Sequence, residues 1–259
     1  MSRLHLSFAC GKHTLAGTLD IAPSTTGLLI VSGGNELRSG AFGGQAALAS
    51  RIARAGFPVF RYDRRGIGDS SGENRGFERS EADILAALEA FRAMAPSIAR
   101  VVAFGNCDAA SALMLVGGAG CDALVLSNPW TIDDDGDDTP PPAAVRARYV
   151  QKLKDPKEIK RLLTGGVNIL KLLKGLKQAS KAEAPAPTDL AERMAAGIAG
   201  FQGTVKFVLA QSDRTAQVFD SVWPKGDSRV SRCEGASHAW VEPDARIWLE
   251  QQILAVLRA

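Results

Sequence analysis

The sequence predicts an α/β fold, a mostly parallel sheet with helices on both faces and a helical lid insertion near its end. Three observations carry that prediction. Short runs that are apolar at nearly every position, such as "GLLIVS" and "VVAF", suit strands buried on both faces rather than one. From the third strand onward, amphipathic stretches of helical period separate these runs, the rhythm of parallel strands joined by helical crossovers. The third observation is an interruption of that rhythm, since more than seventy residues lie between "LSNPW" and "VKFVLA".

In chain order, Leu4–Ala9 and Leu15–Ile21 form an N-terminal hairpin. The buried runs follow at Gly27–Ser32, Pro58–Asp63, Val101–Phe104, Ala123–Ser127 and Val205–Ala210, with a weaker strand at Arg229–Cys233. Helical stretches occupy Phe42–Ala55, Ser80–Ala95, Asp108–Val116 and Thr215–Val222, and Asp244–Leu257 closes the chain. In such sheets the chemistry sits beyond the carboxyl ends of the strands.

The interruption opens on the acidic, proline-rich "TIDDDGDDTPPP" and continues into the basic "VRARYVQKLKDPKEIKRLLTGGVNILKLLKGLKQASK". A second break, "AEAPAPTD" (Ala182–Asp189), ends it. An insertion of this size in a compact sheet serves as a lid or binding element. Residues 1–130 and 201–259 are therefore assigned to the core and residues 131–200 to the lid. Leu162, Leu163, Val167, Leu170, Leu173 and Leu176 recur at helical spacing, while the cations from Arg146 to Lys181 face only Asp155 and Glu158. One face is apolar and the other cationic. Such a segment either packs over the site with a solvated basic back or docks on an anionic membrane surface or an acidic carrier protein.

Composition closes off several function classes. A formal charge of +3 is too small to argue for nucleic acid. Cys10, Cys107, Cys121 and Cys233 contain no CxxC pair and the histidines are only His5, His13 and His238, so neither a metal site nor an organic cofactor is implied. The N-terminal "MSRLHLSFAC" lacks an apolar signal core, and no apolar run approaches the roughly 20 residues of a membrane span. A cytoplasmic protein with reduced thiols is expected.

The stretch Gly105-Asn106-Cys107-Asp108-Ala109 sits where a buried strand turns directly into a helix. It fits the strand–turn–helix nucleophile elbow G-x-S-x-G, with Cys for Ser and Ala for the last Gly. The turn lifts the thiol above the sheet at a helix N-terminus, where the dipole favours thiolate. Taken alone, Cys107 is also compatible with a small buried apolar residue. The downstream order argues for the nucleophile. Asp213 follows the apolar "VKFVLA" and His238 lies beyond the last strand, giving nucleophile, acid and base in the order this fold demands.

Two further loops complete the expected site. The backbone N–H of Asp108 supplies half of an oxyanion hole, and "IVSGGNELRSG" (Ile30–Gly40) supplies the second donor from Gly34 or Asn35. Glu36, in the same loop, is a candidate modulator: with Asp108 it sets negative charge near the thiol and opposes its ionisation until substrate displaces it. Alternatively Glu36 points to solvent or pairs with Arg38. "RYDRRGIGDSSG" (Arg61–Gly72) is a strand end and tight loop whose Asp63, Arg65 and Asp69 are assigned structural roles.

Together these features resemble the α/β-hydrolase superfamily over nearly the whole chain. "GNCDAASALM", "LSNPW", the basic "YVQKL…LLTGGVN" segment and "SDRTAQVF" resemble more closely the exosortase A system-associated hydrolase family, type 1. Members of that family resemble serine esterases but carry Cys in the elbow, and their genes accompany a bacterial exopolysaccharide and protein-sorting system. The resemblance transfers catalytic roles to Cys107, Asp213 and His238. The family's oxyanion loop reads G-G-P-Q-Y-R, and "GGNELR" departs from it at Asn35, Glu36 and Leu37. An elbow Cys is also similar to that of dienelactone hydrolases and polyhydroxyalkanoate synthases, although this lid is unlike the compact form of the former and the chain is shorter than the latter.

The expected activity is that of a Cys-His-Asp acyl hydrolase acting on esters, thioesters or lactones, small or carrier-bound, through an acyl-thioester intermediate. Two alternatives stay open: an acyltransferase using a sugar or carrier acceptor, and a catalytically weak binding or scaffold protein of the same system.

Overall fold

The computed structural model describes residues 2–132 and 189–259. The basic segment, and with it the expected apolar and cationic faces, lies outside the described residues. Eight strands form one sheet in the order β1-β2-β4-β3-β5-β6-β7-β8. These are β1 (Arg3–Cys10), β2 (His13–Asp20), β3 (Thr26–Val31), β4 (Val59–Tyr62), β5 (Arg100–Asn106), β6 (Ala123–Ser127), β7 (Thr204–Ala210) and β8 (Val230–Cys233). β1 pairs antiparallel with β2 and β2 antiparallel with β4, while every pairing from β4 to β8 is parallel.

The period-2 alternation of the buried strands divides the core into two layers. Leu28, Ile30, Val102, Phe104, Val125 and Val208 face α1 (Gly44–Arg54) and the last helix, Pro243–Arg258. Leu29, Val31, Val101, Ala103, Leu124 and Phe207 face the opposite layer. That layer holds α2 (Glu81–Met94), α3 (Asp108–Leu115), α4 (Asp189–Ala199) and α5 (Arg214–Val222); the last helix is α6. Both faces of the central strands are covered, which is why their sequences carry no polar alternation.

One boundary differs from the sequence expectation. Asp189–Ala199, read there as the end of the lid, is a helix whose Leu190, Met194 and Ile198 are buried in the main core beside α3. Its close approach is specific, because a Cβ at Gly197 would lie 2.2 Å from the carbonyl oxygen of Met114. The stretch therefore packs with the core layer that holds α3.

The strand order places the site. The chain runs from β3 outward to β4, then crosses back over β3 to β5. Connections leaving the carboxyl ends of β3 and β5 thus diverge to opposite faces, and the crevice between them is the switch point where open α/β sheets bind ligands.

The aromatic layer under the hairpin should dominate stability. Phe60 is fully buried, stacks on Phe91 at 5.6 Å and touches Phe8 at 5.7 Å. Phe60→Ala should cost about 3–5 kcal/mol in urea unfolding. A cost under about 1 kcal/mol would show that this layer collapses around the void.

Candidate active site

Cys107 occupies the corner between β5 and α3 with φ 60° and ψ −128°, a conformation that L-residues avoid at roughly 1–3 kcal/mol. Its surroundings hold it there. The Cys107 N–H donates to the Ser127 carbonyl at 2.9 Å, and its own carbonyl accepts from the N–H groups of Ala110 at 3.1 Å and Ser111 at 3.3 Å. Small neighbours are compulsory: a Cβ at Gly105 would come within 2.7 Å of the backbone of Ala109. The elbow motif corresponds to real steric demand.

Asp213 caps α5, its side chain accepting the Ala216 N–H at 3.0 Å, and the same Oδ2 lies 2.9 Å from Nδ1 of His238. The cap fixes the carboxylate, and the carboxylate fixes the ring. With Nδ1 committed to Asp213, Nε2 is the nitrogen left to face the Cys107 thiol, whose side chain acts on the ring. The structure thus brings together the three residues singled out from the sequence. The hydrogen bond to Asp213, and after it the Cys107 side chain, raise the imidazole to about 10, against the opposing effect of burial. A raised folded-state value means that protonated His238 stabilises the fold fully below its ordinary value of about 6.5. That contribution is lost as pH rises through about 10.

A buried amide network, not foreseen from the sequence, sets the height of this histidine. Nδ2 of Asn106 donates to the His238 carbonyl at 3.3 Å, and its Oδ1 accepts from Ser127 Oγ at 2.7 Å and Asn128 Nδ2 at 3.0 Å. Asn128, fully buried at φ 44°, accepts the Ala210 N–H at 2.8 Å. Trp240 closes the loop by donating from Nε1 to Ser127 Oγ at 3.0 Å. The only sequence trace of this network is a polar pair at a strand end, Ser127-Asn128 in "LSNPW".

The oxyanion loop differs from expectation at Gly34. Its N–H does not face the thiol but donates to Oδ1 of Asp108 at 2.6 Å. The acid following Cys107 folds back across the elbow and takes that donor. Asn35 N–H makes no hydrogen bond among the described residues, nor does the N–H of Asp108. Asp108 also lies 3.7 Å from Arg64, whose guanidinium donates to the Gly34 carbonyl. Burial pushes the Asp108 carboxyl above its ordinary range, opposed by Arg64, by the N–H groups of Gly34 and Ala109, and by His238.

Glu36 neither points to solvent nor pairs with Arg38. It is half-buried, accepts from Gln45 Nε2 at 3.2 Å, and is raised by burial against the pull of His238 and the Ala41 N–H, with Asp108 adding to the rise. Arg38 instead pairs with Asp63 and, at 2.9 Å, with Asp69. Because Asp63 also accepts the Arg38 N–H at 2.6 Å, this carboxylate anchors the far end of the oxyanion loop. Arg65 pairs with Asp83. Beside the site a mostly apolar cleft of about 60 Å³ is walled by Leu48, Phe104, Trp240 and Leu249, with Glu36 and Asn106 also on its lining. Among the described residues no cluster of His, Cys, Asp and Glu could hold a metal ion, and no helix is long and apolar enough to cross a membrane.

Comparison with known proteins agrees with this architecture. The sequence profile described as the alpha/beta hydrolase family matches residues 28–249. No curated protein gives a significant sequence match. Among solved structures, the alpha/beta hydrolase GrgF from Penicillium sp. sh18 is similar with a TM-score of 0.62 at 17% identity, over 100% of this chain and 98% of that one. The esterase Pf2001 from Pyrococcus furiosus has a TM-score of 0.61 at 12% identity, over 99% of this chain and 90% of its own. XC6422 from Xanthomonas campestris, described as an a/b serine hydrolase without lid, has a TM-score of 0.58 at 14% identity, over 100% and 94%. At these identities the likeness shows the shared α/β-hydrolase fold.

The histidine geometry gives a direct measurement. In Asp213→Ala the hydrogen bond to Nδ1, the largest cause of the raised imidazole value, is gone, so the His238 titration followed by NMR should move down from about 10 toward its ordinary value. An unmoved curve would mean that Asp213 does not control the ring.

Proposed function

Since the chain belongs to the alpha/beta hydrolase family, we propose that it is an acyl hydrolase that cleaves ester, thioester or lactone bonds through an acyl-thioester on Cys107. The observation that carries this reading is Cys107 at a strained strand-to-helix corner, its side chain acting on a histidine whose Nδ1 lies 2.9 Å from Asp213. The fold shared with esterases supports ester chemistry.

On this reading the Cys107 sulfur adds to the substrate carbonyl carbon and the π pair moves onto oxygen, where the N–H groups of Asp108 and Asn35 receive it. Collapse breaks the bond to the leaving group, and His238 hands its Nε2 proton to the departing alkoxide or thiolate. Water then gives a proton back to His238 while its oxygen attacks the thioester carbon. The carbon–sulfur bond breaks, releasing the acid and restoring the thiolate. Asp213 stabilises the imidazolium and keeps Nε2 directed at the chemistry. The apolar cleft between α1 and α6 suits the acyl chain.

A cysteine in this position suits activated acyl groups, because a thiolate attacks without needing deprotonation in the transition state. The motifs "GNCDAASALM" and "SDRTAQVF" support placing the chain with the exosortase-associated hydrolases of exopolysaccharide systems, in the cytoplasm. The cationic stretch from Arg146 to Lys181 is the part of the chain suited to an acidic carrier or an anionic membrane surface.

Intact-mass spectrometry after exposure to p-nitrophenyl esters, thioesters and lactones tests the reading. Cys107→Ala should abolish covalent acylation, and Cys107→Ser should keep a trace of ester activity. Iodoacetamide should modify Cys107 before Cys10 and Cys121, which are buried, and before Cys233. Acylation elsewhere, or none, would defeat the proposal, and transfer to an added sugar or carrier in preference to water would make the enzyme an acyltransferase.

Glu36 provides the second test. Its half-buried carboxylate acts on His238 and Asp108, and we propose that it restrains ionisation of the nucleophile. Glu36→Gln should speed alkylation of Cys107 at neutral pH and move the alkylation–pH curve to lower pH. An unchanged curve would remove Glu36 from any control of the thiol.

A further inference from the structure

We infer that Asp108 and Arg64 are positioning residues that clamp the oxyanion loop through the two peptides that flank Gly34. The inference rests on the hydrolase reading above and adds side-chain roles that the elbow motif does not contain. Two successive peptide groups are gripped, one on each side of the Gly34 Cα: Asp108 Oδ1 accepts the Gly34 N–H of the Gly33–Gly34 peptide at 2.6 Å, and Arg64 Nη2 donates to the Gly34 carbonyl of the Gly34–Asn35 peptide. The two clamping side chains lie 3.7 Å apart as an ion pair, and both are shielded, with 5% of Arg64 and 14% of Asp108 exposed. Charge-assisted hydrogen bonds in such surroundings are stronger than neutral ones in water.

The clamp joins the two halves of the catalytic apparatus. Asp108 is the first residue of α3 and adjoins the nucleophile, whereas Gly34 belongs to the loop leaving β3. Arg64 comes from a third segment, just beyond β4. Gly33 shows how tightly they fit, because a Cβ there would stand 2.3 Å from Asp108 Oδ1 and 2.8 Å from the Asn106 carbonyl. Holding the Gly34 carbonyl fixes the plane of the Gly34–Asn35 peptide and with it the Asn35 N–H, a loop donor with no hydrogen bond among the described residues.

The position of a carboxylate makes this choice consequential. An oxyanion cannot share the Gly34 N–H with Asp108 without severe repulsion. Asp108 therefore either clamps the loop while Asn35 receives the charge, or obstructs the hole and must leave. The geometry points to the clamp. Asp108 accepts both the Gly34 and Ala109 N–H groups with Arg64 beside it, so displacing it would strand a buried guanidinium.

Two reactions of the same thiol separate the possibilities. Acylation by p-nitrophenyl acetate builds an oxyanion, whereas alkylation by iodoacetamide displaces iodide from a saturated carbon and builds none. Asp108→Ala should slow acylation roughly 100-fold, the scale of a lost oxyanion donor, while alkylation stays as fast as in wild type or faster. Asp108→Asn, whose amide oxygen still accepts from Gly34, should recover most of the acylation rate. Arg64→Met should slow acylation in the same selective way, and the double variant with Asp108→Ala should lose little more than the worse single change. Amide exchange at Gly34, read by NMR, reports the clamp without any catalysis: slow in wild type and Asp108→Asn, fast in Asp108→Ala. Acylation of Asp108→Ala at or above the wild-type rate would overturn the clamp and make Asp108 an obstruction. A parallel fall of acylation and alkylation in both Asp108 variants would overturn it as well. If wild type forms no acyl-enzyme, the hydrolase reading fails by itself, and Gly34 exchange still decides whether the clamp exists.

Discussion

The site depends on one buried interaction, the pairing of Asn106 with Asn128 beneath the carboxyl edge of the sheet. Asn106 ends β5 immediately before the nucleophile corner, and Asn128 lies just beyond β6. Between them they bind Ser127, the Ala210 N–H at the end of β7, and the carbonyl of His238. Four chain segments that meet nowhere else in sequence are tied at one level. Apolar packing could bury the same volume, but it is non-directional and would not fix the height of a loop to a fraction of an ångström. Directed bonds between amides do so, and each unmade bond in that dry environment would cost about 1–3 kcal/mol.

Charge around the histidine is balanced at close range. Asp213 lies on one side of the ring, and Glu36 and Asp108 act on it from the oxyanion side. Three carboxylates around one imidazole would be untenable without countercharge. Arg64 answers Asp108, and Arg38 answers Asp63 below the loop. The raised imidazole follows chiefly from its hydrogen bond to Asp213, a carboxylate that also caps α5, and then from Cys107. In this chain the electrostatics of the catalytic group and the mechanics of its loops use the same residues.

Much of this was legible in the sequence, for identifiable reasons. Central strands buried on both faces announce themselves as continuous apolar runs, and helix ends fell within a residue or two because the flanking Gly, Pro and polar residues are local signals. Cys107, Asp213 and His238 were legible because each follows a strand, so chain order alone sets them on one edge. Helix α4 was not. Its "DLAERMAAGIA" is short, rich in alanine and directly preceded by an Ala/Pro break, so nothing local separates it from the basic segment before it. The side-chain uses of Asp108, Asn106 and Asn128 were equally hidden. Their partners stand 74, 132 and 82 residues away in sequence, and no periodicity encodes a contact of that range. Gly34 shows the same limit, for its glycine signal was read correctly as a loop and wrongly as a donor facing the thiol.

The grip on His238 is on its backbone and not on its ring. Two amides hold the peptide carbonyl, while the side chain keeps 41% of its surface open. In the proposed cycle the imidazole gains and loses charge, and every dipole near it must accommodate the change. Here the dipoles that matter are already frozen into the sheet edge, so little of the surrounding protein has to reorient when the proton moves. The scaffold is set once, during folding, and in the proposed cycle what changes is the charge on a ring that Asp213 already holds.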